Sequence, residues 1–316
     1  MRRLISLAPF VVGLPLVIAC SSEAPAPTSS STTGEPLAQP SLEGVEPGMH
    51  VYWQRGFQNI QRLGPTSTDP ESATDNQAHG GGGGGSGGNL VDHGGKVLPA
   101  NHAVAIYWGT QSAFPSDLKS GVASLFEGMS GTSFLAIADQ YMRGAKTSTT
   151  YVTSYDDTSS SPPSRGPQTS AIVNEACHVI NANSLTPDTN AIYFVFTSNY
   201  PGGHVNYCAW HSHGSCNGVD IQVAYMPNTT GIAGCDPGNL YNCNSYSQGT
   251  RSIGNVTSHE FMEAITDADI NAWYDGSGSE IGDKCAWQFA SCVNLSTGSW
   301  QLQKEWSNSI TGCAQQ

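Results

Sequence analysis

The stretch SHEFMEAITDAD (258–269) carries residue types that can bind a metal ion and move a proton. His259 and Glu263 are four residues apart, so on a helix both side chains lie on one face, about 5–6 Å apart at their Cβ atoms. Zinc accepts both imidazole and carboxylate ligands, and this spacing suits two ligands of one ion. Glu260 comes directly after His259, where its carboxylate could take a proton from an activated water. The motif is HExxE rather than HExxH, and an ordinary solvated acidic helix is the alternative interpretation.

A zinc site on this helix needs a third protein ligand, and acidic residues follow it. The segment GSGSEIGDKCAW (276–287) offers Glu280 and Asp283, at roughly the distance where many zinc proteases place a third, acidic ligand. We predict Glu280 as that ligand, with Asp283 as the second choice. Asp267 lies one turn beyond Glu263 on the same face. Each of these carboxylates could instead cap a turn or accept hydrogen bonds from backbone amides.

A second polar cluster lies in GGHVNYCAWHSHGSC (202–216). His211 and His213 are two residues apart, so they would share a face if this segment is a strand. We predict that His211 completes the metal site or donates to a developing oxyanion. The alternative is an exposed loop pinned by disulfides, with incidental histidines. That alternative is favoured for His204, His213, His178 and the N-terminal histidines.

Alternating strands and helices must position these residues. The apolar runs 102–110 and 190–198 predict buried strands, and 218–226 predicts a further strand, a candidate for the sheet edge. Residues 169–183 and 255–268 have the apolar spacing of helices, and Thr257 or Ser258 could cap the second of them. We expect an α/β or α+β fold: a single disulfide-rich domain with a central mixed sheet and long loops.

The N-terminal part reads as an export signal followed by a tether. Residues 1–19 combine two arginines with an apolar run, as a secretory signal peptide does. The small residue before Cys20 indicates a bacterial lipobox, in which Cys20 carries lipid; a plain signal peptide with a chance cysteine is the alternative. We predict a flexible Ser/Pro/Gly-rich tether over 20–94 and the folded domain over 95–316. Within the tether, the apolar island 49–64 either packs on the domain or does nothing.

Composition narrows the class of partner and the compartment. The chain has 12 Lys and Arg against 25 Asp and Glu, for a net charge of −13, so nucleic acid is an unsuitable partner. The predicted partners are a lipid bilayer, through the acyl group on Cys20, and a peptide or cell-wall polysaccharide. Eight of the nine cysteines follow Cys20 and predict disulfides in an exported protein. The neighbouring pairs 208–216, 235–243 and 285–292 could each close a short loop.

Three blocks together resemble a known family: VAIYWGT, AIYFVFTSNYPGGHVNYCAWHSH and SHEFMEAITDADINAWYDGSGSEIGDKCAW. In this order, over about residues 95–316, they resemble the phosphate-induced protein (EXORDIUM-like) family in its microbial form. Plant members are secreted and associated with the cell wall. The microbial form resembles a zincin-type metallopeptidase around its His-Glu helix. The resemblance therefore implies a zincin-like helix in which His259 and Glu263 are ligands and Glu260 is the base.

Two functional hypotheses follow. The first is a lipid-anchored protein of the bacterial cell envelope or outer surface that acts as a zinc hydrolase of the metallopeptidase type. The second is a non-catalytic surface protein that binds polysaccharide or a protein partner, with the helix in a structural role only. Aromatic side chains suit stacking on sugars. The candidates are Trp210, Trp273, Tyr274, Trp287, Trp300 and Trp306.

Overall fold

The computed structural model describes residues 45–57, 88–203 and 205–316. Its centre is a six-stranded mixed sheet. In spatial order the strands are β1 (His50–Trp53), β6 (Tyr207–Cys216), β7 (Val219–Met226), β5 (Ala191–Thr197), β3 (Ala100–Trp108) and β4 (Ser148–Asp157). The four strands from β7 to β4 are parallel, whereas β6 runs antiparallel to both β7 and β1. The predicted mixed sheet in an α/β domain is therefore confirmed.

Helices cover both faces of this sheet, which explains why β3 and β5 are almost continuously apolar. Helices α1 (Leu118–Glu127) and α3 (Gln248–Thr266) pack on one face, where Ala105 and Phe194 point. Helix α2 (Thr169–Ala182) packs on the other face, against Ile106 and Val195. The alternation of side chains along each strand thus divides the core into two layers.

Short elements complete the domain. The strands β2 (Val91–Asp92) and β8 (Trp273–Tyr274) pair with each other, and two small hairpins close the C-terminal part. Those hairpins are β9 (Val293–Leu295) with β10 (Gly298–Trp300), and β11 (Glu305–Ser307) with β12 (Gly312–Ala314). The 3-10 helices are Gln111–Ala113, Leu135–Tyr141 and Asp283–Cys285.

Helix α3 begins earlier than the sequence predicts. Its N-cap is Ser247, whose hydroxyl accepts a hydrogen bond from the backbone amide of Thr250, and the helix starts at Gln248. Thr257 is therefore not a cap; it lies inside the helix and donates to the carbonyl of Ile253 at 2.8 Å. The earlier turns are easily missed because glycine interrupts their pattern. Gly254 is needed there, since a Cβ would lie 2.4 Å from the ring of Trp300.

The described part of the N-terminal region belongs to the domain. β1 pairs antiparallel with β6, and His50 lies directly opposite His211. The predicted domain start at residue 95 is therefore too late, because residues 45–57 and 88–94 also contribute buried side chains such as Tyr52 and Leu90. Strand β7 is interior, with β6 and then β1 beyond it, and is not the edge strand for which 218–226 is a candidate.

The signal peptide (1–19), Cys20 and most of the predicted tether (20–44 and 58–87) lie outside the described residues, as does His204. Each remains a sequence-based prediction. None of the helices within the described ranges combines the length and the apolar character that crossing a bilayer requires.

Four disulfides lie in the described residues. They join Cys177–Cys216, Cys208–Cys235, Cys243–Cys292 and Cys285–Cys313. The three neighbouring pairings considered above are wrong. Cys208 and Cys216 stand near opposite ends of β6, and eight strand residues span roughly 26 Å. The disulfides are consistent with an extracellular location.

A buried carboxyl pair between α2 and β4 generates a prediction about stability. Burial, with the neighbouring Asp157, raises the pKa of Glu175 to about 8. Between pH 4.5 and 8, Glu175 keeps its proton in the folded chain and loses it in the unfolded chain. The unfolding free energy of the wild type should therefore fall as pH rises through this window. Glu175→Gln should remove that decline.

Urea unfolding at several pH values measures this effect. Glu127→Gln, at an exposed position of α1, is the matched control and should keep the wild-type profile. Parallel profiles for the wild type and Glu175→Gln would contradict the assignment.

Candidate metal centre

Four separate parts of the chain converge beside β6. Helix α3 supplies His259 and Glu263, one turn apart and both fully buried. β1 and β6 supply His50 and His211, whose ring centroids are 5.4 Å apart. The loop after β8 supplies the remaining acidic residues. His50, His211 and the residues of α3 lie far apart in sequence, so only the tertiary fold brings them together.

The first group consists of His259, Glu263 and Asp283, each offering one atom within ligand distance of the others. His259 Nε2 lies 3.1 Å from Glu263 Oε1 and 3.9 Å from Asp283 Oδ1. Two ligands about 2.0–2.1 Å from a tetrahedral ion are themselves roughly 3.3 Å apart, so these separations fit ligands of one ion. Asp283 is the partly exposed member of the group.

The hydrogen bonding of His259 supports that interpretation. Neither ring nitrogen of this fully buried side chain has a hydrogen-bond partner among the described residues, although Nε2 faces the Glu263 carboxylate closely. A buried imidazole without a hydrogen bond is costly. A cation between Nε2 and the Glu263 carboxylate would pair with both of these groups, and the residues present therefore fit a metal ion.

The second group consists of His50, His211, Glu263 and Glu280, all buried. His50 Nδ1 is 2.9 Å from Glu263 Oε2, and His211 Nε2 is 3.8 Å from the same oxygen. His211 Nε2 is also 3.2 Å from Glu280 Oε2. The other nitrogen of His50 reaches Asp283 Oδ2 at 3.0 Å, which links the second group to the first.

The charges of the two groups act on one another. Burial opposes a charge on His50, but the carboxylates of Glu280, Asp283 and Glu263 raise its pKa well above the ordinary value. Burial likewise opposes a charge on Glu263, but His259 and His50 hold its pKa well below the usual range. The two imidazoles therefore favour the ionised form of Glu263.

Two further buried carboxylates lie beside these groups. Burial and the charge of Glu263 raise the pKa of Glu260 well above its ordinary value. Burial, Glu263 and Asp283 do the same for Glu305 on β11. Neither oxygen of Glu305 has a hydrogen-bond partner within the described part of the chain. Two more acidic side chains therefore lie beside the two groups, and a bound cation would favour their ionised forms.

Aromatic and amide side chains hold the ligands in place. The ring of Tyr52 stacks on His259 at 3.6 Å and on Trp287 at 4.6 Å. The Tyr52 hydroxyl donates to Gln303 Oε1 at 2.7 Å, and Gln303 Nε2 donates to the carbonyl of Gly282 at 2.9 Å. β1 is thereby connected to the loop that carries Asp283. Such supporting contacts fix the orientation of ligands.

Every residue that the sequence predicts as a metal ligand lies in this centre. The two candidates for the third ligand lie in different groups. Asp283, the second choice, lies with His259 and Glu263, whereas Glu280, the first choice, lies with His211. Glu260 is buried beside them, and its charge interacts with those of Glu263 and His50.

His211 lies against Glu280 and is a candidate ligand as well as a candidate oxyanion donor. Asp267 is the C-cap of α3 and accepts backbone hydrogen bonds from Asn271 and Ala272 through one carboxylate oxygen.

Sequence reasoning missed His50. It belongs to the N-terminal histidines for which the sequence favours an incidental role, because nothing local distinguishes it. The available signal was the apolar alternation of the island 49–64, which predicts a strand but not the strand with which it pairs. His213 forms a separate, partly exposed group with Asp220 and Asp269, and exposed acidic groups are common without a metal.

Comparisons with protein-family models, with curated proteins and with solved structures gave no match for this chain. The resemblance to the EXORDIUM-like family therefore stays a prediction.

The tight packing of Gly282 under the ligands yields a second prediction. A Cβ at this position would lie 2.6 Å from His259 Nδ1 and 3.0 Å from Glu263 Oε1. Gly282→Ala should displace both ligands and weaken zinc binding by about 10–100-fold, as changes next to ligands do. Titration of the metal-free protein with zinc measures the affinity.

Gly276→Ala in the same loop is the matched control, because a Cβ there meets nothing within 4 Å. Equal zinc affinities for the two variants would show that the Gly282 contact does not position ligands.

Proposed function

We propose that this protein is an exported, surface-tethered metal hydrolase of the zinc peptidase type. The observation that carries the proposal is the group His259, Glu263 and Asp283, in which a buried imidazole without a hydrogen bond faces two carboxylates. Two features of this group suit a hydrolase. Its three ligands would leave one coordination position of a zinc ion open, and a further carboxylate lies beside the group.

Three protein ligands suit a catalytic zinc rather than a structural one, because structural sites are usually closed by four. In the proposed site His259 would bind through Nε2, with Glu263 and Asp283 each contributing one oxygen. When bound, zinc supplies Lewis acidity for the hydrolysis of a carbonyl compound such as a peptide. Asp283 is only partly buried, so the open position is expected on its side of the group.

Glu260 is the proposed general base. It follows His259 on α3, is fully buried, and has charge interactions with Glu263 and Asp283 that place it beside the first group. Its carboxylate would accept the proton of the attacking water and pass it to the leaving group. His211 is fully buried, and its Nε2 lies 3.8 Å from Glu263 Oε2 and 3.2 Å from Glu280 Oε2, so we assign it to the candidate ligands and not to the donors that would contact a substrate.

The anchor completes the proposal. Lipid on Cys20 would hold the protein at the cell envelope, and residues 20–44 would separate the anchor from the domain. Four disulfides agree with an exported domain. A lipid anchor of this kind would restrict hydrolysis to peptides that reach the membrane surface.

A second candidate function is favoured by the burial of the centre. His259, Glu263 and Glu280 have no exposed surface, as expected of an ion that only stabilises the fold. In that case the protein would be a binding module. Sugar stacking has limited support, since Trp210, Trp300 and Trp306 are core residues. Trp273 and Trp287 are partly exposed and remain available.

Replacing the proposed base separates the two functions. Glu260→Gln should retain zinc, because Glu260 is not in either ligand group, and should lower hydrolysis by about 100-fold or more. Zinc content by mass spectrometry and hydrolysis of fluorescent casein measure the two properties on the full chain.

Glu127→Gln on α1 is the control and should match the wild type in both assays. Bound zinc with no turnover in the wild type would favour the binding module. Full hydrolysis by Glu260→Gln would exclude Glu260 as the base.

A further inference from the structure

The two oxygens of the Glu263 carboxylate face different partners. Oε1 lies 3.1 Å from His259 Nε2 and accepts the backbone amide of Asp283 at 3.1 Å. Oε2 lies 2.9 Å from His50 Nδ1 and 3.8 Å from His211 Nε2. One carboxylate thus belongs to both groups, each through its own oxygen. Carboxylates that bridge two metal ions have this arrangement, with the ions about 3.5–4 Å apart.

The second group is a complete ligand set in itself. It offers two imidazoles and two carboxylates, with close separations of 2.9 Å, 3.2 Å and 3.8 Å between donor atoms. These values again lie near the roughly 3.3 Å expected between ligands of a tetrahedral ion. All four side chains are buried. Four buried protein ligands are typical of a structural ion, in contrast to the three ligands of the first group.

The donor atoms also divide between two ions without leaving a ligand over. His259 and Asp283 lie on one side of Glu263, and His50, His211 and Glu280 lie on the other. The buried side chains of Glu260 and Glu305 lie beside these groups and add acidic groups to the centre.

We propose that the centre binds two divalent cations of the zinc class, bridged by the Glu263 carboxylate. The first ion is the one invoked in the proposed function, on which this inference rests. The second is held by His50, His211 and Glu280, is enclosed by protein, and fixes β1 and β6 against α3. Through His50, the part of the chain that precedes residues 58–87 contributes a ligand to the metal centre.

Metal stoichiometry tests the proposal directly. The full chain is stripped with a chelator, loaded with zinc alone, dialysed, and analysed for zinc per chain; two equivalents are expected. His211→Asn should retain one equivalent, because the group of His259, Glu263 and Asp283 stays intact. Circular dichroism and the melting temperature establish that the variant is folded.

Two matched controls locate the second ion. His178→Asn, at an exposed position of α2, should retain both equivalents. His213→Asn, two residues along β6 from His211, should also retain both. Loss of one equivalent in His213→Asn would assign the second ion to the exposed group with Asp220 and overturn the proposal.

The wild-type stoichiometry also separates this inference from the proposed function. One equivalent in the wild type would overturn the bridged pair and leave a single hydrolytic zinc, with His50 and His211 only hydrogen-bonded to carboxylates. No bound zinc would overturn both. Two equivalents that persist in His211→Asn would overturn the assignment of the second group.

Discussion

The cost of burying carboxylates governs the organisation of this domain. A carboxylate removed from water is stable only with hydrogen bonds or opposite charge close by. Glu263 meets this condition with imidazoles on both sides, from α3 and from the β1–β6 pair. Glu305 lacks such compensation, because it has no hydrogen bond to the described residues. The imidazoles supply part of the counter-charge in this centre, and the cluster could also hold a metal ion.

The surrounding elements hold that arrangement rigid. The loop carrying Asp283 is fixed by a disulfide at Cys285 and by a buried ion pair in which Lys284 Nζ lies 2.6 Å from Asp275 Oδ2. Helix α3 packs so closely against Trp300 that a Cβ at Gly254 would lie 2.4 Å from the ring. Each constraint limits how far a ligand can move, and ligand positions accurate to a fraction of an ångström are what metal affinity requires.

Much of the domain could be predicted from local patterns. The apolar runs gave the strands, and the four-residue spacing of His259 and Glu263 placed them on one helical face. What could not be predicted depends on long-range pairing. His50 becomes part of the centre only because β1 adds to β6, and local sequence does not specify that partner. The disulfides also cross between elements, so proximity in sequence predicted the wrong pairs.

The position of β1 has a consequence for the integrity of the chain. Residues 45–57 contain no cysteine, so only residues 58–87 connect them covalently to the remainder of the domain. Proteolytic nicking within that segment would leave a two-fragment protein whose short fragment is retained without any peptide or disulfide link. Its departure would withdraw an imidazole from the centre. It would also uncover the backbone of β6, and an unpaired strand edge readily recruits another extended chain.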